Sequence, residues 1–250
     1  NKTKIRGIVL THGHEDHIGA IPYVLREVNV PVYGTRLTLA LLKNKLAEHG
    51  MLDTTDLKVV KQGENVRFGK MSVDFIRSTH SIPDSVALAI HTPVGVIVHT
   101  SDFKIDFTPL DVEPMDLNKL AELGSKGVLL LMCDSTNVER EGYTLSEKVV
   151  GEAFEEIFLE ATGRILVATF ASNVQRIQQV INAAARLGRK LAICGRSIEN
   201  VFHTAMQEGY LNVPDGMLID IDKIGRYRSE ELVILTTGSQ GEPMSALARM

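Results

Sequence analysis

Apolar residues recur along the chain at two periods, and the switching between them predicts its elements. Residues 5–10 form a short apolar run that predicts a buried strand, and Ile18, Ile21, Val24, Leu25 and Val28 follow at helical spacing. Residues 31–34 predict a strand end, and 37–46 a helix with Leu37, Ala40 and Leu41 inward. Strands are predicted at 57–61, 72–77, 86–91 and 95–99, the last two forming a hairpin through Thr92, Pro93, Val94 and Gly95. In the second of these, Val73, Phe75 and Ile76 alternate with Asp74 and Arg77. That strand delivers Thr79 and His80 to a turn, Ser81-Ile82-Pro83-Asp84-Ser85.

The second half changes character. An apolar run at 127–132 ends at Asp134-Ser135-Thr136-Asn137, and a charged stretch follows at 138–143. Thr144-Leu145-Ser146-Glu147 has the form of a capping box. It opens a predicted helix with Val150, Ala153, Phe154, Ile157 and Phe158 inward, ending near Gly163. A strand at 165–169 leads to a helix at 173–187, with Ser172-Asn173-Val174-Gln175 as a second capping box and Gly188 as its stop. Strand 190–194, helix 198–207, strands 217–221 and 232–235 and a helix from Glu242 complete the order. Strands alternating with helices imply a largely parallel sheet. The expected domains are 1–143 and 144–250.

Composition adds bounds. With 250 residues, 44% of them hydrophobic, the chain can bury a sizeable core in each of two domains. A net charge of −4 carries no global basic signature, so any nucleic-acid contact would be a local groove. Cys133 and Cys194 sit in apolar strand-like runs and read as reduced core residues. There is neither a signal peptide nor an apolar run of about 18 residues, so no membrane is expected. The chain starts at Asn1 and ends at Met250 inside a helical pattern, which suggests an excerpt of a longer protein.

The chemistry concentrates at His12-Gly13-His14-Glu15-Asp16-His17, between the first strand and the first helix. Imidazole and carboxylate suit zinc and similar divalent ions. The spacing is too dense for one helix face. On a turn, His12 and His14 can aim at one point and Asp16 and His17 at a neighbouring one. A polar surface turn would not need three histidines and an aspartate in six residues, so a metal site is expected.

Thr11-His12-Gly13-His14-Glu15-Asp16-His17 resembles the signature of the metallo-β-lactamase fold, a superfamily dominated by two-metal hydrolases. In that superfamily a third histidine follows about sixty residues later, and a bridging aspartate follows that; His80 and Asp102 match in order, type and spacing. The resemblance implies one cation held by His12, His14 and His80, and a second held by Asp16, His17 and a further histidine. Asp102 would bridge the two, and Asp16 would also orient the attacking water. Two such ions clamp both sides of an in-line displacement at phosphorus. Glu15 or Ser101 is a candidate for fixing a histidine tautomer. His49, His91, His99 and His203 read as ordinary structural histidines.

The second half resembles the β-CASP domain through Asp134-Ser135-Thr136-Asn137, Thr169-Phe170-Ala171-Ser172-Asn173 with Arg176 and Gln178, and Thr237-Gly238-Ser239-Gln240-Gly241-Glu242-Pro243. Together the two halves resemble the ribonuclease J family along essentially the whole chain. The implied fold is α/β: a partial metallo-β-lactamase αββα-type sandwich followed by a partial β-CASP domain with a mostly parallel sheet. The implied activity is a cytoplasmic 5′-to-3′ exonuclease and endonuclease on single-stranded RNA. Two divalent ions, zinc or else manganese, would serve it, in a homo-oligomer or RNA-decay complex. In the family Asp134 orients a histidine near the leaving group, and no such motif follows in this chain. The family's last two histidine motifs would lie beyond Met250. Gly238, Ser239 and Gln240, expected at a strand-to-helix turn, suit a phosphate through backbone N–H groups and a helix N-terminus. Ser172 is either a phosphate contact or only a helix cap. A small-molecule hydrolase of the same fold, such as a thioesterase or lactonase, and a metal-binding scaffold without catalysis are the competing readings.

Overall fold

Residues 86–90 read Val-Ala-Leu-Ala-Ile, with no polar position, because both faces of this strand are covered. The computed structural model describes residues 2–110, 113–241, 243 and 245–249, and the chain divides into two units, Asn1–Leu145 and Ser146–Met250.

The first unit begins with β1 (Ile8–Val9), α1 (Glu15–Ile18), α2 (Ile21–Glu27), β2 (Val32–Gly34), α3 (Arg36–Glu48) and β3 (Leu57–Val59). β1, β2 and β3 form a parallel sheet in that order, Ile8 opposite Val32 and Val32 opposite Leu57. β4 (Asn65–Phe68), β5 (Met71–Arg77), β6 (Val86–Thr92) and β7 (Gly95–His99) then run as an antiparallel meander. After α4 (Leu117–Lys126), β8 (Leu130–Met132) joins the far edge parallel to β7. Ala87 and Ala89 face one core with Ile76, Val98, Met115 and Leu123 of α4. Val86 and Leu88 face a second core with Val60, Val73 and Phe75. That double burial replaces strict alternation by a continuous apolar run. α3 is covered almost all round, with Leu37, Leu42 and Leu46 at 0% exposure. Each such leucine contributes about 1.5–3 kcal/mol. The helix is therefore a rigid support for whatever packs on it.

The second unit holds α5 (Glu147–Glu160), β9 (Ile165–Ala168), α6 (Val174–Arg186), β10 (Lys190–Cys194), α7 (Arg196–Gln207), β11 (Leu218–Ile219) and β12 (Leu232–Thr236). Its sheet has the order β11-β10-β12-β9 and every pairing is parallel. Central β12 is buried at all five positions. Gly188, in the left-handed region at φ 64°, stops α6 as expected. Arg189, almost wholly buried, donates to the carbonyls of Ala161 and Gly163 behind the end of α5, where a cation also suits the helix dipole.

Several expectations are corrected. The strand at 5–10 shrinks to Ile8–Val9 and Ile5 is exposed; the helix predicted from Ile18 is two short helices meeting at Gly19 and Ala20. β4 and α4 were not foreseen. The cap of α5 is Ser146, which accepts from the Lys148 N–H, so Thr144 opens no box; Glu147 instead forms a two-bonded ion pair with Arg176. The cap of α6 is Asn173, accepting from the Arg176 N–H at 3.1 Å, not Ser172. On α5, Phe158 is buried while Ala153 and Ile157 are exposed. Cys133 is exposed, next to β8, which among the described residues pairs on one side only, and Cys194 is half-buried; both are free thiols. The helix expected from Glu242 begins outside the described residues, and Leu247–Arg249 is a 3-10 turn. No helix among the described residues is long and apolar enough to cross a membrane.

Candidate metal centre

The change from extended chain to helix at residue 14 sorts the dense cluster into two groups. Beyond β1 the chain stays extended: the Leu10 N–H donates to the Tyr33 carbonyl, and the Thr11 carbonyl accepts from Val86 at the start of β6. His12 is fully buried there. His14 is the extended residue ahead of α1, its carbonyl accepting from His17 and Ile18, so Asp16 and His17 stand on the first helical turn. Gly13 lies against α3, where a Cβ would come within 2.7 Å of Leu41 Cδ1 and 3.4 Å of Thr38 Cα. A glycine lets the two flanking histidines approach that helix.

His80 follows the end of β5 and Asp102 follows β7. The side chains gather into two donor groups: His12, His14, His80 and Asp102, and Asp16, His17 and Asp102, with ligand atoms within 4.8 Å of one another in each. Asp102 belongs to both. Its Oδ2 lies 3.5 Å from His17 Nε2 and 3.9 Å from both His12 Nε2 and His80 Nε2, too far for good hydrogen bonds. All six sequence-expected ligands are thus brought together. His49, His91, His99 and His203 belong to neither group among the described residues.

The arrangement fits a divalent cation. His12 Nε2 is buried without a hydrogen-bond partner, an orphan that a buried polar atom does not ordinarily tolerate. His14 Nδ1 and His80 Nε2 are 3.2 Å apart. Two nitrogens bound to one tetrahedral ion at about 2.0–2.1 Å would stand about 3.3 Å apart. Burial, then repulsion by His14, His17 and His80, lowers the His12 pKa to about 2. Burial and then His80 lower that of His14 to about 4. Burial also lowers His80, against the raising effects of Asp102 and Asp134. All three rings are therefore neutral near pH 7, with lone pairs available for a metal.

The support was only partly foreseen. His12 Nδ1 is 3.1 Å from both Ser101 Oγ and Thr11 Oγ1, and the Ser101 hydroxyl donates to Thr11 at 2.8 Å. With its own proton committed to Thr11, Ser101 Oγ is open to accept an N–H from His12 Nδ1, and in that tautomer Nε2 is deprotonated toward the donor group. Ser101 has a left-handed φ of 56°, costly for a residue with a Cβ. Its N–H donates to His99 Nδ1 at 2.9 Å, and its carbonyl accepts from the Thr100 hydroxyl. His99 therefore holds the turn that presents Asp102, a role no motif signalled. Glu15 pairs with Lys45 on α3.

Asp134 sits beside this turn. Its Oδ2 accepts the Phe103 N–H at 3.4 Å, and its Oδ1 accepts the N–H and O–H of Thr136. Burial pushes its carboxyl up, but these bonds outweigh it and hold the pKa below the usual range. In the second unit, Ser172 is half-buried just before α6 and does not cap it. Gly238 has φ 119°, and a Cβ there would meet Ser245 Oγ at 2.6 Å. The Gly241 N–H donates back to the Gly238 carbonyl, closing a tight turn with Ser239 and Gln240 exposed. Glu242 lies outside the described residues, and no α-helix follows the turn among those described.

A family model described as the metallo-beta-lactamase superfamily matches residues 1–178, and one described as ribonuclease J, beta-CASP domain, matches residues 162–250. Over its whole length the chain is 50% identical to ribonuclease J of Synechocystis sp. and 46% identical to ribonuclease J 1 of Streptococcus pyogenes, of which it covers 39% and 44%. It is 44% identical to ribonuclease J2 of Bacillus subtilis, over 99% of this chain and 44% of that one. The chain thus spans less than half the length of these relatives. A solved structure of a protein of unknown function from Enterococcus faecalis shares the fold over 91% of this chain and 58% of its own, with a TM-score of 0.63 at 16% identity.

Proposed function

The chain belongs to the metallo-β-lactamase superfamily, and from that premise we propose that it is the core of a metal-dependent ribonuclease of ribonuclease J type. The observation that carries this is the pair of donor groups sharing Asp102, in a chain whose remainder matches the ribonuclease J β-CASP domain. A thioesterase or lactonase of the same fold has no use for that second domain. We take residues 1–143 as the metallo-β-lactamase part and 144–250 as the β-CASP part.

His12, His14 and His80 would hold one divalent cation and Asp16 and His17 a second, with Asp102 available to both. Zinc is the first choice for so many imidazoles, and manganese the second. When bound, such ions supply Lewis acidity toward a phosphodiester oxygen and lower the pKa of an attacking water. The three neutral imidazoles give up no proton on binding. The Asp102 carboxylate, a member of both groups, would offset the repulsion between two such charges. Asp16, whose side chain is 77% exposed, would also orient the attacking water. Asp134 keeps the backbone after Asp102 in place. Ser172 and the turn of Gly238, Ser239 and Gln240 contact phosphates of single-stranded RNA, the terminal one included.

The protein works in the cytoplasm, as a homo-oligomer or within an RNA-decay complex, on both 5′ ends and internal bonds. The test is cleavage of a 5′-labelled single-stranded RNA by the protein carrying this chain, with and without Asp102→Ala. Loss of all cleavage in a folded variant that has also lost cation binding is the expected result. Unchanged cleavage by Asp102→Ala would reduce Asp102 to a loop residue and remove the two-cation reading.

A further inference from the structure

Ser81 belongs to neither donor group, yet its hydroxyl oxygen lies 3.3 Å from His14 Nε2, the ring nitrogen opposite Nδ1. A neutral imidazole carries one N–H, and the partner of that N–H decides which nitrogen keeps a lone pair. His14 Nδ1 is the atom that faces His80 Nε2. For Nδ1 to bind a cation, the proton must sit on Nε2 and needs an acceptor there. Among the described residues, Ser81 Oγ is the one hydrogen-bond partner of His14 Nε2.

The loop carrying Ser81 is built to stay in place. The Ser85 hydroxyl donates to the Ile82 carbonyl at 2.9 Å, and the Ser85 carbonyl accepts from the Ser78 N–H and Gln62 Nε2. Asp84, at a left-handed φ of 67°, accepts the Leu37 N–H in the first turn of α3. Ile82 is 1% exposed, and its Cδ1 lies 3.5 Å from where a Cβ on Gly13 would be. The loop is thus pinned to the same helix that supports His12 and His14.

We propose that Ser81 is a positioning residue: its hydroxyl accepts the Nε2–H of His14 and holds the ring in the tautomer whose Nδ1 lone pair is offered to a divalent cation. His12 is the mirror case, since its Nδ1 faces Ser101 and Thr11 and its Nε2 is left for the metal. Two histidines two positions apart therefore need opposite tautomers, and two different serines set them. The inference deepens the metal reading of the cluster and rests on it.

The test is equilibrium binding of Zn2+ to the full chain, by competition with a chelating dye, for wild type, Ser81→Ala and Ser81→Thr. Loss of an outer partner of a ligating histidine weakens metal binding about 10- to 100-fold. Ser81→Ala is expected to show that loss, and Ser81→Thr, which keeps the hydroxyl, to recover most of it. In the cation-free protein, 15N NMR should find His14 in the Nε2–H tautomer in wild type and in a mixture in Ser81→Ala. If the alanine variant does not fold, Ser81→Thr against the isosteric Ser81→Val makes the same comparison. Wild-type affinity together with an unchanged tautomer in the hydroxyl-free variant overturns the inference while leaving the metal site standing. Absence of any Zn2+ binding by the wild type overturns both.

Discussion

His14 Nδ1 lies 3.2 Å from His80 Nε2, although 66 residues separate them in the chain. One histidine stands ahead of the first helix and the other follows the end of β5; they meet because the turn of the first and the loop of the second both pack on α3. Two neutral imidazoles with converging lone pairs are a weak arrangement until a cation joins them. His80→Ala should therefore weaken the first cation by at least tenfold and leave the second, held by Asp16, His17 and Asp102, much less affected. Isothermal titration with Zn2+ reads both steps, and equal weakening of both would show that the two groups do not act separately.

Gly13 is a second test of the shared platform. A methyl group added there meets Leu41 Cδ1 at 2.7 Å, with the Thr38 backbone close behind. Gly13→Ala should cost about 1–3 kcal/mol of stability through overpacking and also lower metal affinity by displacing His12 and His14. A denaturant melt of the cation-free variant, paired with Zn2+ titration, checks both effects. An unchanged melting curve would mean that α3 yields at this point.

The cation-free protein should lose stability as pH falls below the ordinary histidine value of 6.5. His12, at about 2, and His14, at about 4, have folded pKa values below that, and His80 is lowered too. Between pH 6.5 and 4 the unfolded chain takes up protons that the folded chain refuses, so unfolding is favoured on acidification. Their contribution is fully present above pH 6.5 and shrinks toward the folded values. Urea melts at pH 7, 6 and 5 in the presence of a chelator should give a proton uptake on unfolding greater than one. His12→Asn should reduce it.

The 5′ group of the substrate is expected to matter through the turn at Gly238 and Ser239. Ser239 is exposed, so Ser239→Leu should leave stability within about 0.5 kcal/mol. A compact terminal monophosphate can be met by the serine and neighbouring N–H groups; a 5′-hydroxyl would leave these donors unpaired and a triphosphate is bulkier. The wild-type protein should prefer 5′-monophosphorylated RNA, and Ser239→Leu should lose that preference with internal cleavage less affected. Rates on RNAs differing only at the 5′ group measure this, and equal rates in the wild type would remove the turn from recognition.

What the sequence by itself determined was whatever depends on neighbours within a few residues. The switch from apolar run to helical spacing around residues 12–17 already sorted His12 and His14 from Asp16 and His17, because backbone conformation over six residues aims the side chains. β10 and β12 were legible as short apolar runs between turn signals, and Gly188 as a stop, because a left-handed residue is a local demand. Only the tertiary structure decided the rest. Glu147 looked like half of a capping box until Arg176, 29 residues away, claimed its carboxylate. Cys133 follows an apolar run yet is exposed, because β8 pairs on one side only among the described residues. His99 and Ser81 carry no motif, and their roles follow from a hydrogen bond to a strained backbone and from a ring nitrogen 67 residues away in sequence. A ligand's identity is written in its side chain. Its tautomer and aim depend on groups that only folding brings within 3.3 Å, since a hydrogen bond is felt at contact and has no sequence period.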